Sequence, residues 1–329
     1  MLNGRGSLLL IGGYVMDLKQ LTALVTVAEV GSVTRAAELL HLVQPAVTRQ
    51  IRTLEQELGV PLFERTRQGM RPTEAGVSLA ERARRALTEL ERARAELAPA
   101  PDVVTGIVTL GLLESAAALV AEPLVSAVRH GHPGIELRLQ TAFTGHLQRR
   151  LDEGDLDLSL LYNLTGSPSL NVTPLLRERL WAVAPPADGL DAGTPVPFAE
   201  LGGRPLVMPA AGHGLRSLIE GAARTAGVEL DAHLQTDSMY LQKRLVLAGH
   251  GWTILPGVGI AGDVAAGGLS AAPLRDPDVW RSVVLAMPRT GRTPTAVGVV
   301  AHELVRQIRA AVREGRWPSA ELPAPDRTA

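Results

Sequence analysis

The residues best suited to chemistry in this chain are polar and basic, and they cluster early. They are Gln44, Pro45, Ala46, Thr48, Arg49 and Arg52, followed by Arg65 and Arg67. Glutamine can form paired hydrogen bonds with adenine, and the arginine fork suits guanine or phosphate. Pro45 fits the first position of a helix, where its missing N–H is no loss, and its ring can touch a thymine methyl. Ala46 is small enough to let the backbone close on a groove. The set points to reading a duplex rather than to breaking bonds. Between Gly31 and Pro72 six arginines stand against four glutamates, in a chain of net charge −1. A local basic surplus of this kind suits contact with nucleic acid at one end only.

Other chemistries find little support. No H-E-x-x-H, G-x-S-x-G or G-x-x-x-x-G-K-[ST] pattern occurs, which removes the common hydrolase and phosphate-loop readings. The chain has no cysteine, so thiolate metal sites, disulfides and a cysteine redox switch are excluded. His130 and His132 flank Gly131, but no third partner completes a metal spacing. AGHGWTILPG runs from glycines into a strand, the wrong order for a dinucleotide loop. No metal, cofactor or enzymatic activity is expected. No apolar run approaches the roughly 18 residues of a membrane span, and a cytoplasmic location is expected.

A chain of 329 residues should divide into two or three units. Residues 1–15, MLNGRGSLLLIGGYV, read as a disordered extension, with patterned sequence beginning at Met16. Leu18, Leu21, Leu24, Val25 and Ala28 mark one helical face, stopped by Gly31. Ser32 then N-caps a second helix through Ala36, Ala37, Leu39 and Leu40. A short turn leads to a third helix, with Gln44 as its cap and Gly59 and Pro61 at its end. Together these make a helix-turn-helix, whose last helix enters the major groove. Ser32, Thr34 and Arg35 join the candidate DNA contacts. LFERTRQGMRPT reads as strand, turn and strand, a wing carrying Arg65 and Arg67. A winged helix-turn-helix DNA-binding domain is thus expected over residues 16–73.

Residues 74–98 should form one long linker helix. Positions 76, 80, 83, 87, 90, 94 and 97 step by four and three, a seam at heptad spacing. A polar helix of this length has little reason to lie flat on its own domain. Ala80, Ala83, Leu87, Leu90 and Leu97 are therefore expected to pack against a second copy. Pro99-Ala100-Pro101-Asp102, residues 99–102, make a stiff hinge. Over residues 103–313 short apolar runs (IVTLGLL, IELRLQ, LDLSLLY) alternate with helical ones, which means βαβ units around a mainly parallel sheet, in two lobes. The fold class is α plus α/β. Residues 314–329 read as a disordered tail.

GSVTRAAELLH, followed by QPAVTRQIRTLEQELGVPLFERTRQGMRPTEAG, resembles the N-terminal region of LysR-type transcriptional regulators almost position by position. LDEGDLDLSLLY, PLLRERLWAVAP and AGHGWTILP resemble that family's effector-binding domain more loosely. Within the family the likeness is to regulators related to nitrogen assimilation control proteins. The resemblance implies a sequence-specific regulator of transcription that binds double-stranded DNA. It also implies assembly as a dimer and then a dimer of dimers, with RNA polymerase as a further candidate partner. Departures are Val43 and Thr48, where serine is common, and Pro72-Thr73, where Leu-Thr is common.

A two-lobed domain similar to periplasmic binding proteins implies a small-molecule effector between the lobes. Loops after strand C-terminal ends should line the cleft, with helix N-termini pointing in. That logic selects Leu113, Glu114, Ser115, Phe143, Thr144 and Gly145 from one lobe, and Met208, Pro209, His213 and Arg216 from the other. Ser115 and Thr144 would suit a carboxylate or phosphate, whereas Glu114 would oppose one, so the effector's charge stays open. The rival reading is a solute-binding protein with a helical appendage and no role on DNA.

Overall fold

The computed structural model describes residues 9–11, 14–66, 69–97, 103–164, 166–289 and 293–323, with backbone alone for 9–11, 14–15, 91–92 and 94–97. The chain forms two units, residues 1–98 and 99–329, each with its own core.

In the first unit a hairpin of β1 (Leu9–Ile11) and β2 (Tyr14–Met16) precedes α1 (Leu18–Val30), α2 (Val33–Leu39) and α3 (Gln44–Leu58). β3 (Phe63–Thr66) and β4 (Gly69–Pro72) pair antiparallel as the wing, and α4 (Glu74–Leu97) follows. Asp17 and Gln20 start α1 with reciprocal side-chain-to-backbone bonds, a capping box. Ser32 Oγ accepts from the Arg35 N–H at the start of α2, as its residue type predicts. Leu24, Ala36, Ala37, Val47, Ile51 and Leu54 bring the three helices onto one core.

Two contacts position the wing. Glu55 of α3 accepts from the backbone N–H groups of Leu62 and Phe63, at 2.7 and 3.2 Å. Met70 N–H of β4 donates to the Gly31 carbonyl at 2.8 Å. Gly69 can serve here because a Cβ would lie 2.4 Å from that carbonyl oxygen, at a φ of +127°. The wing is therefore held to α3 and to the α1–α2 turn.

The second unit opens with β5 (Gly106–Leu113), α5 (Glu114–Gly131), β6 (Ile135–Ala142), α6 (Thr144–Asp152) and β7 (Leu158–Tyr162), with β5 parallel to β6 and β7. β8 (Leu170–Ala184) then serves two lobes. β9 (Val196–Pro197), β10 (Pro205–Met208), α7 (Gly214–Ala226), β11 (Asp231–Gln235), α8 (Met239–Leu247), β12 (Thr253–Pro256), α9 (Ala261–Ala265) and β13 (Ser270–Arg275) form the second lobe. β14 (Trp280–Pro288), α10 (Thr295–Arg313) and β15 (Ala320–Glu321) return to the first, α10 lying against α5 and β5. Residues 170–179 of β8 run antiparallel to β14, while its far end runs antiparallel to β12 and β13.

At this crossover sits Glu178, fully buried and paired with Arg281, 3 % exposed. Glu178 Oε2 accepts from Arg281 Nε and Nη2, and Oε1 accepts from Val258 N–H, Trp317 Nε1–H and Ser319 Oγ–H. Arg281 Nη2 also donates to Ser115 Oγ at 2.7 Å. A buried ion pair is tolerated only when its remaining hydrogen-bonding capacity is met in this way.

The structure corrects four expectations. The large sheet is mixed, because β14, β8, β12 and β13 pair antiparallel. Pro174 falls beside a register shift in β8, where a proline is admissible in a strand. Residues 314–323 are ordered: Trp317 is 1 % exposed, and β15 adds to β8. Residues 9–11 and 14–16 form a hairpin where an unstructured extension was expected. Finally, α4 does lie on its own unit. Ala80 and Ala83 are buried against the helical core and Leu87 packs beside them, while Gly76 comes so close that a Cβ would meet the Leu62 carbonyl oxygen at 2.0 Å. The 99–102 hinge lies outside the described residues.

Candidate nucleic-acid interface and effector cleft

Helix α3 begins at Gln44, with Val43 as N-cap and no side-chain cap bond, so Pro45 stands one position further in than expected and Gln44 is not the cap. The outcome for recognition is favourable. The first N–H groups of α3 stay unmatched by side chains, and the amide of Gln44 is exposed. A broad groove runs between α3 and the wing, lined by Gln44, Pro45, Thr48, Arg49, Arg52 and Arg65, with Thr53 and Gln56 beside them.

The charge distribution of α3 explains why this face is basic. Glu55 is bound to the start of the wing and Glu57 Oε1 accepts from Gln20 Nε2. Arg49, Arg52 and Arg65 are exposed, and none makes an ion pair among the described residues. Thr48 Oγ1 donates to the Gln44 carbonyl at 3.1 Å. Ser32 is engaged as the α2 cap, while Thr34 and Arg35 are exposed. Arg67 lies outside the described residues. Thr53 and Gln56 were missed, although steps of three and four from Arg49 pass through both positions.

In the second unit a narrow cleft lies between the lobes, with a free volume of about 30 Å³. Leu113, Glu114, Ser115, Phe143, Pro209 and His213 line it, as expected. Four other candidates do not. Thr144 Oγ1 accepts from the Tyr162 N–H, Gly145 is exposed, and Met208 is fully buried. Arg216 is engaged with Glu220 and the Pro209 carbonyl. Tyr162, Thr236, Met239, Gln242 and Arg281 line the cleft without having been selected. Tyr162 closes β7 and obeys the strand-end logic. Arg281 had no local signal, since it enters from an antiparallel strand.

Phe143 and His213 meet across the cleft edge-to-face, with ring centroids 4.2 Å apart. His213 Nδ1 accepts from the Leu215 N–H at 3.1 Å, capping α7. Burial pushes the His213 imidazole below the usual histidine range, against the raising effect of Asp237, with Arg281 and His146 pushing it further down. Burial likewise raises the Tyr162 hydroxyl, opposed by Arg281. His213 Nε2 and the Gln242 side-chain nitrogen are buried in this wall without a protein partner among the described residues.

Residues 18–77 match the family model described as bacterial regulatory helix-turn-helix protein, lysR family, and residues 101–315 match that of the LysR substrate binding domain. The chain belongs to the LysR family. It is a DNA-binding transcriptional regulator with an effector-binding domain. Among LysR relatives, the HTH-type transcriptional regulator BbuR of Bordetella bronchiseptica is 31% identical over 92% of this chain and 93% of its own. The nitrogen assimilation regulatory protein nac of Klebsiella aerogenes is 36% identical, over 51% of this chain and 55% of its own. A full-length OxyR variant from Pseudomonas aeruginosa shares the fold with a TM-score of 0.69 at 22% identity, covering 94% of this chain and 99% of that one. Full-length CbnR in complex with its target DNA aligns with a TM-score of 0.66 at 22% identity, over 90% and 100% of the two chains. Among the described residues, no helix of this LysR protein is long and apolar enough to cross a membrane.

Proposed function

We propose that this regulator reads its operator with the exposed face of α3 and grips the flanking backbone with the wing. Gln44, Pro45 and Arg49 would meet base edges, with Ala46 allowing close approach and Val43 offering an apolar contact. Arg52, Arg65, Arg67, Thr34 and Arg35 would serve the phosphates. One observation carries the reading: on α3 the acids are engaged inside the unit while the arginines stand outward with no ion pair among the described residues. Unpaired surface arginines gain their partners when phosphates displace counterions. The solved complex of CbnR with its target DNA supports placing this fold on a duplex.

Dimerisation would use α4 in a register turned from the one expected. Ala80 and Ala83 are spent on the unit's own core. Ala86, Leu90 and Ala93 are exposed at steps of four and three and can form a heptad seam with a second copy. Two such dimers joined through the effector domains would make the tetramer, and RNA polymerase would be contacted once the assembly is on DNA. The interlobe cleft would take the effector and shift lobe closure, which requires different affinities for the two states. Peroxide sensing through a thiol is not part of this reading, because the chain has no cysteine.

Selection of bound fragments from genomic DNA tests the proposal. Enriched fragments should contain two half-sites about one helical turn apart, and Arg49→Ala should lose the enrichment. Equal recovery by wild type and variant would refute it.

A further inference from the structure

We infer that residues 317–321 form a strap that fixes the angle between the two lobes, and that its docking and release regulate lobe closure. The strap's role rests on the reading above only in that the lobes move. α10 ends at Arg313, and Gly315, at a φ of +71°, turns the chain back toward β8. Trp317 and Ser319 are then buried. β15 pairs with Arg177 and Glu178 of β8, and the Ser319 carbonyl accepts from the Arg179 N–H at 2.8 Å. Arg179 is the last residue of β8 to pair with β14; from Leu180 onward the strand pairs with β12 and β13 of the second lobe. The strap thus docks where β8 passes between lobes. The match to the LysR substrate binding domain ends at residue 315, so the strap lies beyond it.

Both lobes touch the strap. Glu178 Oε1 accepts from Trp317 Nε1–H at 3.0 Å and from Ser319 Oγ–H at 2.8 Å. The same oxygen accepts from Val258 N–H at 3.1 Å, in the turn Gly257–Gly259 that follows β12 in the second lobe. In that turn a Cβ on Gly257 would lie 2.6 Å from the Ser319 Cβ, so a glycine is needed for the second lobe to sit so close. A change of lobe angle moves this turn relative to β8, and three donors converging on one oxygen tolerate little of it. Glu178 Oε2 meanwhile holds Arg281, which reaches Ser115 Oγ near the start of α5. One carboxylate therefore ties the strap to both lobes. The outer end is held more lightly. β15 spans only Ala320 and Glu321, and the Glu321–Arg177 ion pair is exposed to solvent. So short a strand opens locally at small cost. Docked and released straps supply the two states that a shift in lobe closure needs.

The test uses the full chain without DNA. Because the sequence has no cysteine, Glu153→Cys and Thr225→Cys, both exposed and in different lobes, can carry the only spin labels. Double electron–electron resonance reads their separation, with a large excess of unlabelled wild type so that pairs within one chain dominate. Trp317→Phe with Ser319→Ala keeps the ring but removes both strap donors to Glu178. The parent should give one narrow distance, and this variant a broadened or displaced distribution. The Arg179 amide, held by the Ser319 carbonyl, should exchange its hydrogen at least about tenfold faster. Glu321→Arg sets a like charge beside Arg177 at the surface and should act in the same direction. Adding Arg177→Glu should restore the parent distance. The surface pair decides the matter if the buried variant fails to fold. Faster exchange with an unchanged distance distribution would reduce the strap to ordinary packing and overturn the inference. Exchange as slow as in the parent, or no restoration by the charge swap, would overturn it too. Operator binding by the wild type, measured separately, tests the regulator reading itself, so the two failures are distinguishable.

Discussion

Arginine is used in opposite ways in the two units. On α3 and the wing, Arg49, Arg52 and Arg65 are exposed and free of ion pairs among the described residues. At the lobe crossover, Arg281 is buried and spent on Glu178 and Ser115. The first arrangement leaves an electrostatic demand for a partner from outside. The second meets its demand within the fold and links strands that are far apart in sequence. Charge alone therefore says little about role; where the counter-charge comes from decides it.

The largest effect expected from this contrast lies at the crossover. Glu178→Ala strands the Arg281 charge and should destabilise the effector unit by about 3–5 kcal/mol, read by urea unfolding. Arg49→Ala should change stability by less than about 0.5 kcal/mol. A crossover variant as mild as the surface one would break the contrast. Arg49→Ala should instead cost about 1–3 kcal/mol of discrimination between operator and scrambled duplex, measured by competition in gel shifts.

Helix α4 sharpens the same inward–outward distinction. Ala83→Glu should unfold the first unit, because it buries a charge without a partner. Leu90→Glu should leave that unit folded but raise the dimer dissociation constant at least about tenfold, visible by sedimentation. Equal assembly of Leu90→Glu and wild type would remove this face from consideration.

The smallest effect concerns pH. The folded-state pKa of His213 is lowered, chiefly by burial and modified by Asp237, Arg281 and His146. The unfolded chain therefore takes up its proton first as pH falls. Stability is fully present above the ordinary histidine range and declines as pH drops through it, toward the lower folded value. His213→Phe should flatten that part of the stability–pH curve. An unaltered slope would assign it to other groups.

The DNA-binding unit was largely legible in the sequence because its determinants are local. Helical spacing, the Ser32 cap, Gly59 and the turn before Gln44 each act within a few residues. The cap of α3 was misplaced by one residue, which is the usual uncertainty of a helix start. The cleft was half legible. Residues that follow strand ends, such as Ser115 and Phe143, obey a rule of topology. Arg281 and Gln242 reach the cleft only through tertiary pairing, and no spacing announces them. The ordered stretch 314–323 was hidden for the same reason. Trp317 and Ser319 are fixed by Glu178, more than a hundred residues earlier, and a proline-rich tail reads as disorder when that acceptor is not in view. For α4, heptad spacing was read correctly as apolar periodicity, yet periodicity alone does not say whether the neighbour is α1 or a second copy.

The most direct measurement is the salt dependence of duplex binding by wild type and Arg65→Ala. If Arg65 neutralises a phosphate, the slope of log affinity against log salt should be shallower by about one in the variant. The weakening should be similar on operator and scrambled duplex. A slope and affinity identical to wild type would contradict the placement of a duplex in the groove between α3 and the wing.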